Sequence, residues 1–391
     1  MKISQDWIND PQLKQVLALL NSDGGVGYLV GGCVRNALME KPTTDIDIAT
    51  SFDPKTVSIL AKSANFKVIP TGIDHGTVTV VTDAGPLEIT TFRQDIETDG
   101  RHAIVAFTTD IAKDASRRDF TMNALYGCAN GDVIDPLGGL DDLQNGHVRF
   151  IGDPIERIEE DYLRILRFFR FTAIYGDPAL GIDEDGLAAC AQCLDGLGGV
   201  SKERIGSEVL KLLGSNEPSM AIAAMGQINV LQRILPGADP KYLPILVHAE
   251  HGFDIDPIRR LAVLGGQSVK ENLRLSKKQN HHLSILQNAQ DPSGARTGFE
   301  HGYSAGLGAA LISATYAETS IYAELDTVLR HATSVTFPIA AQDISHIVQG
   351  PDLGNALTFL KDEWISSGFE LTKAELMQRF LEIQDNQTNG D

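Results

Sequence analysis

Two carboxylates separated by one residue, Asp45 and Asp47 in the run TDIDIAT, are the first feature of this 391-residue chain that can do chemistry. On a strand, a period of two puts both on one face and turns Ile46 and Ile48 toward the core. Like charges this close raise each other's affinity for protons unless a cation lies between them, so the pair suits a hard divalent ion such as Mg²⁺. The same pattern also suits a solvated strand edge, and the residues upstream bear on the choice. There, YLVGGCVRNALME reads as a strand, a glycine turn and the start of a helix. Gly31 and Gly32 let a ligand approach the backbone, the helix start offers unpaired N–H groups, and Arg35 adds a charged fork. A triphosphate beside carboxylates that bridge metal ions is what phosphoryl transfer requires.

GGCVR followed by TDIDIAT resembles the polymerase-β-like nucleotidyltransferases. Five further segments extend the resemblance to the class II tRNA nucleotidyltransferases and bacterial poly(A) polymerases: TGIDHGTVTVV at 71–81, RRDFTMNAL at 117–125, DPLGGLDDL at 135–143, EDYLRILRFFRF at 160–171 and ERIGSEVLKLL at 203–213. The resemblance implies a metal pair in Asp45 and Asp47, with Glu88 of LEITTF as a third catalytic carboxylate. It implies a triphosphate turn at Gly32 and Arg35, a phosphate contact at Arg118, and Asp119 and Asn123 near the ribose. Glu88 also reads as a surface strand residue, Asp119 as a helix cap, and His75 and Thr77 as packing. Where the family usually has Asp after the Arg of GGxVR, this chain has Asn36, which keeps the hydrogen-bonding shape and loses the charge.

Asp161 and Arg164 lie three apart in a helical segment, with Arg167 a turn further on and Arg170 beyond it. A carboxylate only accepts hydrogen bonds and a guanidinium only donates them. Cytosine and adenine each present an amino donor beside a ring acceptor and fit such a pair, whereas uracil and guanine confront like with like. Each unpaired polar group so buried costs roughly 1 to 3 kcal/mol. The same residues also suit a solvated, salt-bridged face, with Arg170 bracing the neck. In the resembling family this selection is protein-templated, and it implies CTP and ATP as substrates and the tRNA 3′ end as acceptor. The stretch FRQDIETDGRHAIVAFTTDIAKDA resembles the flexible loop kept by enzymes able to add the terminal A, and otherwise reads as a long surface loop. A poly(A) polymerase of the same family, or a regulator that binds nucleotides without turnover, are the alternatives.

The elements that must position these residues follow from patterning. Strand-like runs alternate with helices in the first third, with Asp53-Pro54 as a helix start. VTVV and LEITTF joined by TDAGP read as a hairpin, so the sheet is mixed. Neither GxGxxG nor GxxxxGK[ST] occurs, which excludes the Rossmann and P-loop readings. From about residue 151 the periodicity is helical throughout. The expected fold is α+β: a polymerase-β-like head with a mixed sheet (1–150), a helical neck that reads the base (151–213), and an all-helical body and tail that bind tRNA (214–391). In that last part Arg274, Lys277 and Lys278 are the basic candidates, and His281 and His282 read as ordinary helix residues, since no His-Asp dipeptide supports a phosphohydrolase.

Composition runs against RNA binding. The formal charge is −19, from 33 Lys and Arg against 52 Asp and Glu, so contacts to RNA must come from local patches. Hydrophobic residues at 42% and charged residues at 22% fit a soluble globular protein. Neither a signal-like N-terminus nor an apolar run of spanning length is seen, which implies a cytoplasmic protein without membrane partners. Four cysteines, of which Cys190 and Cys193 form a lone CxxC, imply neither a disulfide framework nor zinc.

Overall fold

The computed structural model describes residues 1–73, 76–99 and 102–388. Nine strands are seen among them: β1 (Gly27–Val30), β2 (Ile46–Thr50), β3 (Lys67–Gly72), β4 (Thr77–Thr82), β5 (Gly85–Thr91), β6 (Arg93–Asp99), β7 (His102–Phe107), β8 (Tyr126–Gly127) and β9 (Val133–Ile134). The helices up to the end of the neck are α1 (Pro11–Leu20), α2 (Gly32–Leu38), α3 (Pro54–Ser63), α4 (Ile111–Ser116), α5 (Gly139–Gln144), α6 (Pro154–Glu160), α7 (Leu163–Tyr175), α8 (Glu184–Gln192) and α9 (Lys202–Leu213).

The main sheet runs β3-β4-β5-β2-β1-β8-β9. It is mixed, as the hairpin implied: β2 and β5 pair in parallel, and the other neighbours are antiparallel. Period-two alternation separates its faces. Ile48, Val78, Val80 and Ile89 are fully buried, as are the inward residues Leu13, Leu17, Val57 and Ala61 of α1 and α3. Ala49, on the same side as Asp45 and Asp47, packs with Val30, Phe92, Ala115, Ala124 and Tyr126. Asp53 caps α3 by accepting from Lys55 N and Thr56 N, with Pro54 supplying a preset first turn. The segment expected as a long loop instead forms a separate antiparallel pair, β6 with β7, and then α4. Its alternation is hidden by charges at RQDIETD, which is why it reads as loop in sequence.

The chain folds as two compact units. The first comprises residues 1–237 with 271–274, the second 238–270 with 275–391. In the first, α7 packs on α9 and on the helix Ser219–Gln227, so the break in packing comes after Gly237. Gly206 of α9 lies against Leu273 O, where a Cβ would come within 1.9 Å, so only glycine permits this approach. The second unit is helical. Its core includes Ala332, Leu360, Trp364, Leu376 and Phe380, and Arg259 and Arg260 are buried with a shared Glu250 at 2.6 and 2.7 Å. Among the described residues no helix is long and apolar enough to cross a membrane.

Candidate active site

Asp47 lies on β2 in register with Glu88 on the parallel strand β5, and Asp45 immediately precedes β2 in an exposed position. Burial pushes the Asp47 carboxyl from its usual 3.8 up to about 6, with the charges of Glu88 and Asp45 adding to the rise and that of Arg118 opposing it. Three carboxylates and one guanidinium therefore share a field. The metal-free arrangement is an acidic centre short of positive charge, the chemistry a divalent cation fits. Among the described residues no three or more His, Cys, Asp or Glu side chains are grouped so as to hold a metal ion, so the protein's own donors at this site are at most a pair. The donor set suits an ion such as Mg²⁺ that keeps water and takes substrate oxygens.

The glycine turn stands where the sequence placed it. Gly31 joins β1 to α2 at φ 71° and ψ −124°, a conformation that a side chain strongly disfavours. Arg118, just after α4, points Nη1 at this turn, only 3.5 Å from where a Gly31 Cβ would stand. It is anchored from behind by Asp114 at 3.0 Å and by Tyr126 Oη at 3.3 Å, a residue that also donates to Asp114 at 2.7 Å. The pairing with buried Asp114 raises the Arg118 pKa, against the burial that lowers it, so Arg118 is a fixed cation between turn and carboxylates.

Arg35 departs from expectation. Instead of standing as an open fork at the turn, it is buried beneath it, its guanidinium 4.1 Å from the Tyr175 ring centre. It donates to Asn123 Oδ1, to Tyr175 Oη at 2.7 Å and to Asn36 Oδ1 at 2.9 and 3.2 Å. The aromatic end of α7 draws it inward. Asn36 thus receives the bonds that an Asp would, without the charge, and its Nδ2 donates to Pro42 O at 2.9 Å.

The neck presents a lattice of paired charges. Asp161 is not on the helix with Arg164, as its spacing implied: it lies in extended conformation in the break between α6 and α7. Its Oδ1 accepts from Leu163 N at 3.1 Å and its Oδ2 from Arg204 of α9 at 2.6 Å. Arg164 donates through Nη1 to Glu160 and Arg157 O and through Nη2 to Arg117 O, which leaves its Nε edge to one side. Arg167 binds Asp119 through Nε, at 2.8 Å, and Nη2. Arg170 donates to buried Glu208 of α9 at 2.6 Å. The Asp119 carboxyl is pulled down to about 2. Burial would raise it, but the charges of Arg167 and Arg164 and the hydrogen bonds from Asn123 and Arg167 prevail. Asp119 thus joins RRDF to the arginine row.

Arg204 and Glu208, in the segment ERIGSEVLKLL, are functional neighbours that the sequence pattern alone does not single out. The one signal is Glu208 itself, a charge within the apolar stripe of Ile205, Val209 and Leu212. Thr77 shares a hydrogen bond with Thr90 across β4 and β5 at 3.0 Å, a packing role. His75 lies outside the described residues. Cys33, Cys128, Cys190 and Cys193 are free thiols, and burial raises the pKa of each.

The sheet, the acidic pair and the glycine turn define a nucleotidyltransferase head, and comparison with known proteins agrees. The Poly A polymerase head domain matches residues 27–149, and the family described as the probable RNA and SrmB-binding site of polymerase A matches residues 180–242. The chain is 33% identical over 403 residues to human CCA tRNA nucleotidyltransferase 1, mitochondrial, covering 93% of this chain and 88% of that protein. It is 44% identical over 219 residues to the CCA-adding enzyme of Oceanobacillus iheyensis, covering 55% of this chain and 53% of that one. The crystal structure of Bacillus stearothermophilus CCA-adding enzyme in complex with CTP shares the fold with a TM-score of 0.76 at 26% identity, over 96% of this chain and 100% of that one. This chain belongs to the CCA-adding tRNA nucleotidyltransferase family.

Proposed function

We propose that the protein adds C, C and A in turn, from CTP and ATP, to the 3′ end of tRNA, releasing pyrophosphate at each step. The observation that carries the reading is the field at Asp47: a carboxylate whose proton affinity is raised by burial, Glu88 and Asp45, facing the fixed cation Arg118. Magnesium held by Asp45 and Asp47 would lower the pKa of the RNA 3′-hydroxyl and neutralise the triphosphate. Arg118 and the backbone at Gly31 and Gly32 hold phosphate oxygens, while Arg35 supports the turn from below. Glu88 shapes the field of the pair.

The base is read by the carboxylate of Asp161 and the Nε edge of Arg164, which together accept and donate as cytosine and adenine require. Arg204 orients Asp161, and the pairs of Arg167 with Asp119 and Arg170 with Glu208 fix the row. The selective face explains how a protein with net charge −19 recognises its nucleotides without a nucleic-acid template. A cytoplasmic location is part of the same proposal, and cell fractionation tests it. For the chemistry, Asp45→Ala should abolish nucleotide incorporation while leaving the circular dichroism spectrum and melting temperature as in the wild type. Retained incorporation by the purified variant would sink the assignment.

A further inference from the structure

Where β2 begins, the end of the main sheet opens into a cleft of about 540 Å³, a volume in the range of ligand sites. Its floor is apolar: Ile46 and Leu87 stand in register on β2 and β5, with Leu13 of α1 and Pro86 beside them. Its charged lining is entirely acidic, from Asp6, Asp10 and Asp45, and among the described residues neither Lys nor Arg contributes. Other clefts of the same unit carry Arg149, or Lys113, Arg117 and Arg157. A phosphate-bearing ligand, whether nucleotide or RNA, is repelled from this cleft, and a cation is drawn to it.

The walls are tied to each other before any ligand arrives. Gln12 of α1 and Asp83 of the β4–β5 turn exchange two hydrogen bonds, Gln12 Nε2 donating at 2.9 Å and Asp83 N at 2.7 Å. Trp7, in the 3-10 turn Asp6–Asn9, donates its indole N–H to Gln5 Oε1 at 2.6 Å, and Gln5 Nε2 donates in turn to Lys41 O at 3.2 Å. With its N–H spent, the half-buried indole has its ring to offer a ligand, and the face of that ring attracts cations. Asp10 accepts from Leu13 N at 2.8 Å and Asp45 from Thr44 Oγ1 at 3.0 Å, each through a single oxygen. Asp6 and Asp45 are exposed. The three carboxylates are not grouped closely enough to hold one metal ion. Negative charge spread around an apolar floor fits a cation that has length.

We propose that this cleft binds an aliphatic diamine. Its ammonium ends meet the carboxylates and the Trp7 ring, and its methylenes cover Leu13, Ile46 and Leu87. Asp45 also belongs to the carboxylate pair assigned above to magnesium, so an ammonium on Asp45 opposes a metal ion on the pair. The diamine is thereby an antagonist of metal binding, and by linkage magnesium weakens the diamine by the same factor. This coupling rests on the assignment of Asp45 to the metal. The site itself does not.

The test titrates the full-length, metal-free protein with cadaverine and reads tryptophan fluorescence, because the chain has only two tryptophans, Trp7 at the cleft and Trp364 buried in the helical unit. A saturable change should appear in the wild type and in Trp364→Phe and be absent from Trp7→Phe. Asp6→Lys, at an exposed position outside the catalytic machinery, should weaken binding about tenfold with an unchanged melting temperature, since it replaces an attraction by a repulsion. The neutral diol of the same length should not bind. Absence of a saturable change in the wild type, equal affinity in Asp6→Lys, or equal binding of the diol would overturn the proposal. Saturating Mg²⁺ should raise the cadaverine Kd of the wild type, and an unchanged Kd would overturn the coupling. Extension of tRNA by the wild-type protein is the separate check. If it fails, the CCA reading falls, whatever the fluorescence shows.

Discussion

Replacing Asp119 by Asn removes one charge from the junction between head and neck and keeps the shape of the side chain. Asp119 is only 8% exposed, and its carboxyl is held at about 2 against a usual 3.8. At 1.36 kcal/mol per pH unit, that difference corresponds to a contribution of about 2 kcal/mol to folding. The sign follows from the direction. A carboxyl depressed in the folded state contributes fully above pH 3.8 and loses its contribution as pH falls toward about 2. Asp119→Asn should therefore destabilise the protein by about 2 kcal/mol at pH 7, and by only about 1 kcal/mol at pH 3, where the carboxyl of the unfolded chain is largely protonated while that of the folded protein is still ionised. Urea unfolding of both proteins at the two pH values measures the gap. Arg167→Met should cost less in the Asp119→Asn background than in the wild type, because the two residues share one interaction. Equal stability at pH 7, or a gap that does not narrow at pH 3, would refute the assignment of Asp119 as the charged partner of Arg167.

Other outcomes follow from the same geometry. Since the Asp47 carboxyl is raised to about 6, a proton competes with the metal, and Mg²⁺ affinity measured by calorimetry should be about tenfold weaker at pH 5 than at pH 7. By the opposite sign to Asp119, the metal-free protein should lose stability as pH rises from about 4 through about 6, and Glu88→Gln should move both effects to lower pH; an unshifted profile would remove Glu88 from the site. Gly31→Ala forces a side chain into φ 71° and toward Arg118; it should cost about 1 to 3 kcal/mol in thermal unfolding and raise KM for nucleotide. Asp161→Asn gives the base a donor where it had an acceptor, so the kcat/KM preference for CTP over UTP should fall by about 1 to 3 kcal/mol; an unchanged preference would place base reading elsewhere.

What was legible in the sequence was local. The strand-turn-helix at Gly31, the cap at Asp53-Pro54 and the β4–β5 hairpin each rest on a few adjacent residues whose backbone preferences agree. The pairing of Asp47 with Glu88 was not legible, because it depends on a parallel register between β2 and β5 that no turn dictates. Arg35 faced the same difficulty: its inward turn is set by Tyr175, 140 residues away. The arginine row was visible as a spacing, but its partners Asp119, Glu160 and Glu208 come from three different elements. The helix break that places Asp161 outside α7 erased the i, i+3 geometry that the spacing suggested.

The most direct measurement incubates the purified protein with Mg²⁺ and tRNA lacking its CCA end, supplies labelled CTP and ATP singly and together, and sizes the product at single-nucleotide resolution. Exactly two C and then one A should be added and synthesis should stop, with UTP and GTP unused and with no product from Asp45→Ala or Asp47→Ala. Unlimited addition of A, a stop after two C when ATP is present, or no addition by the wild-type protein would contradict it.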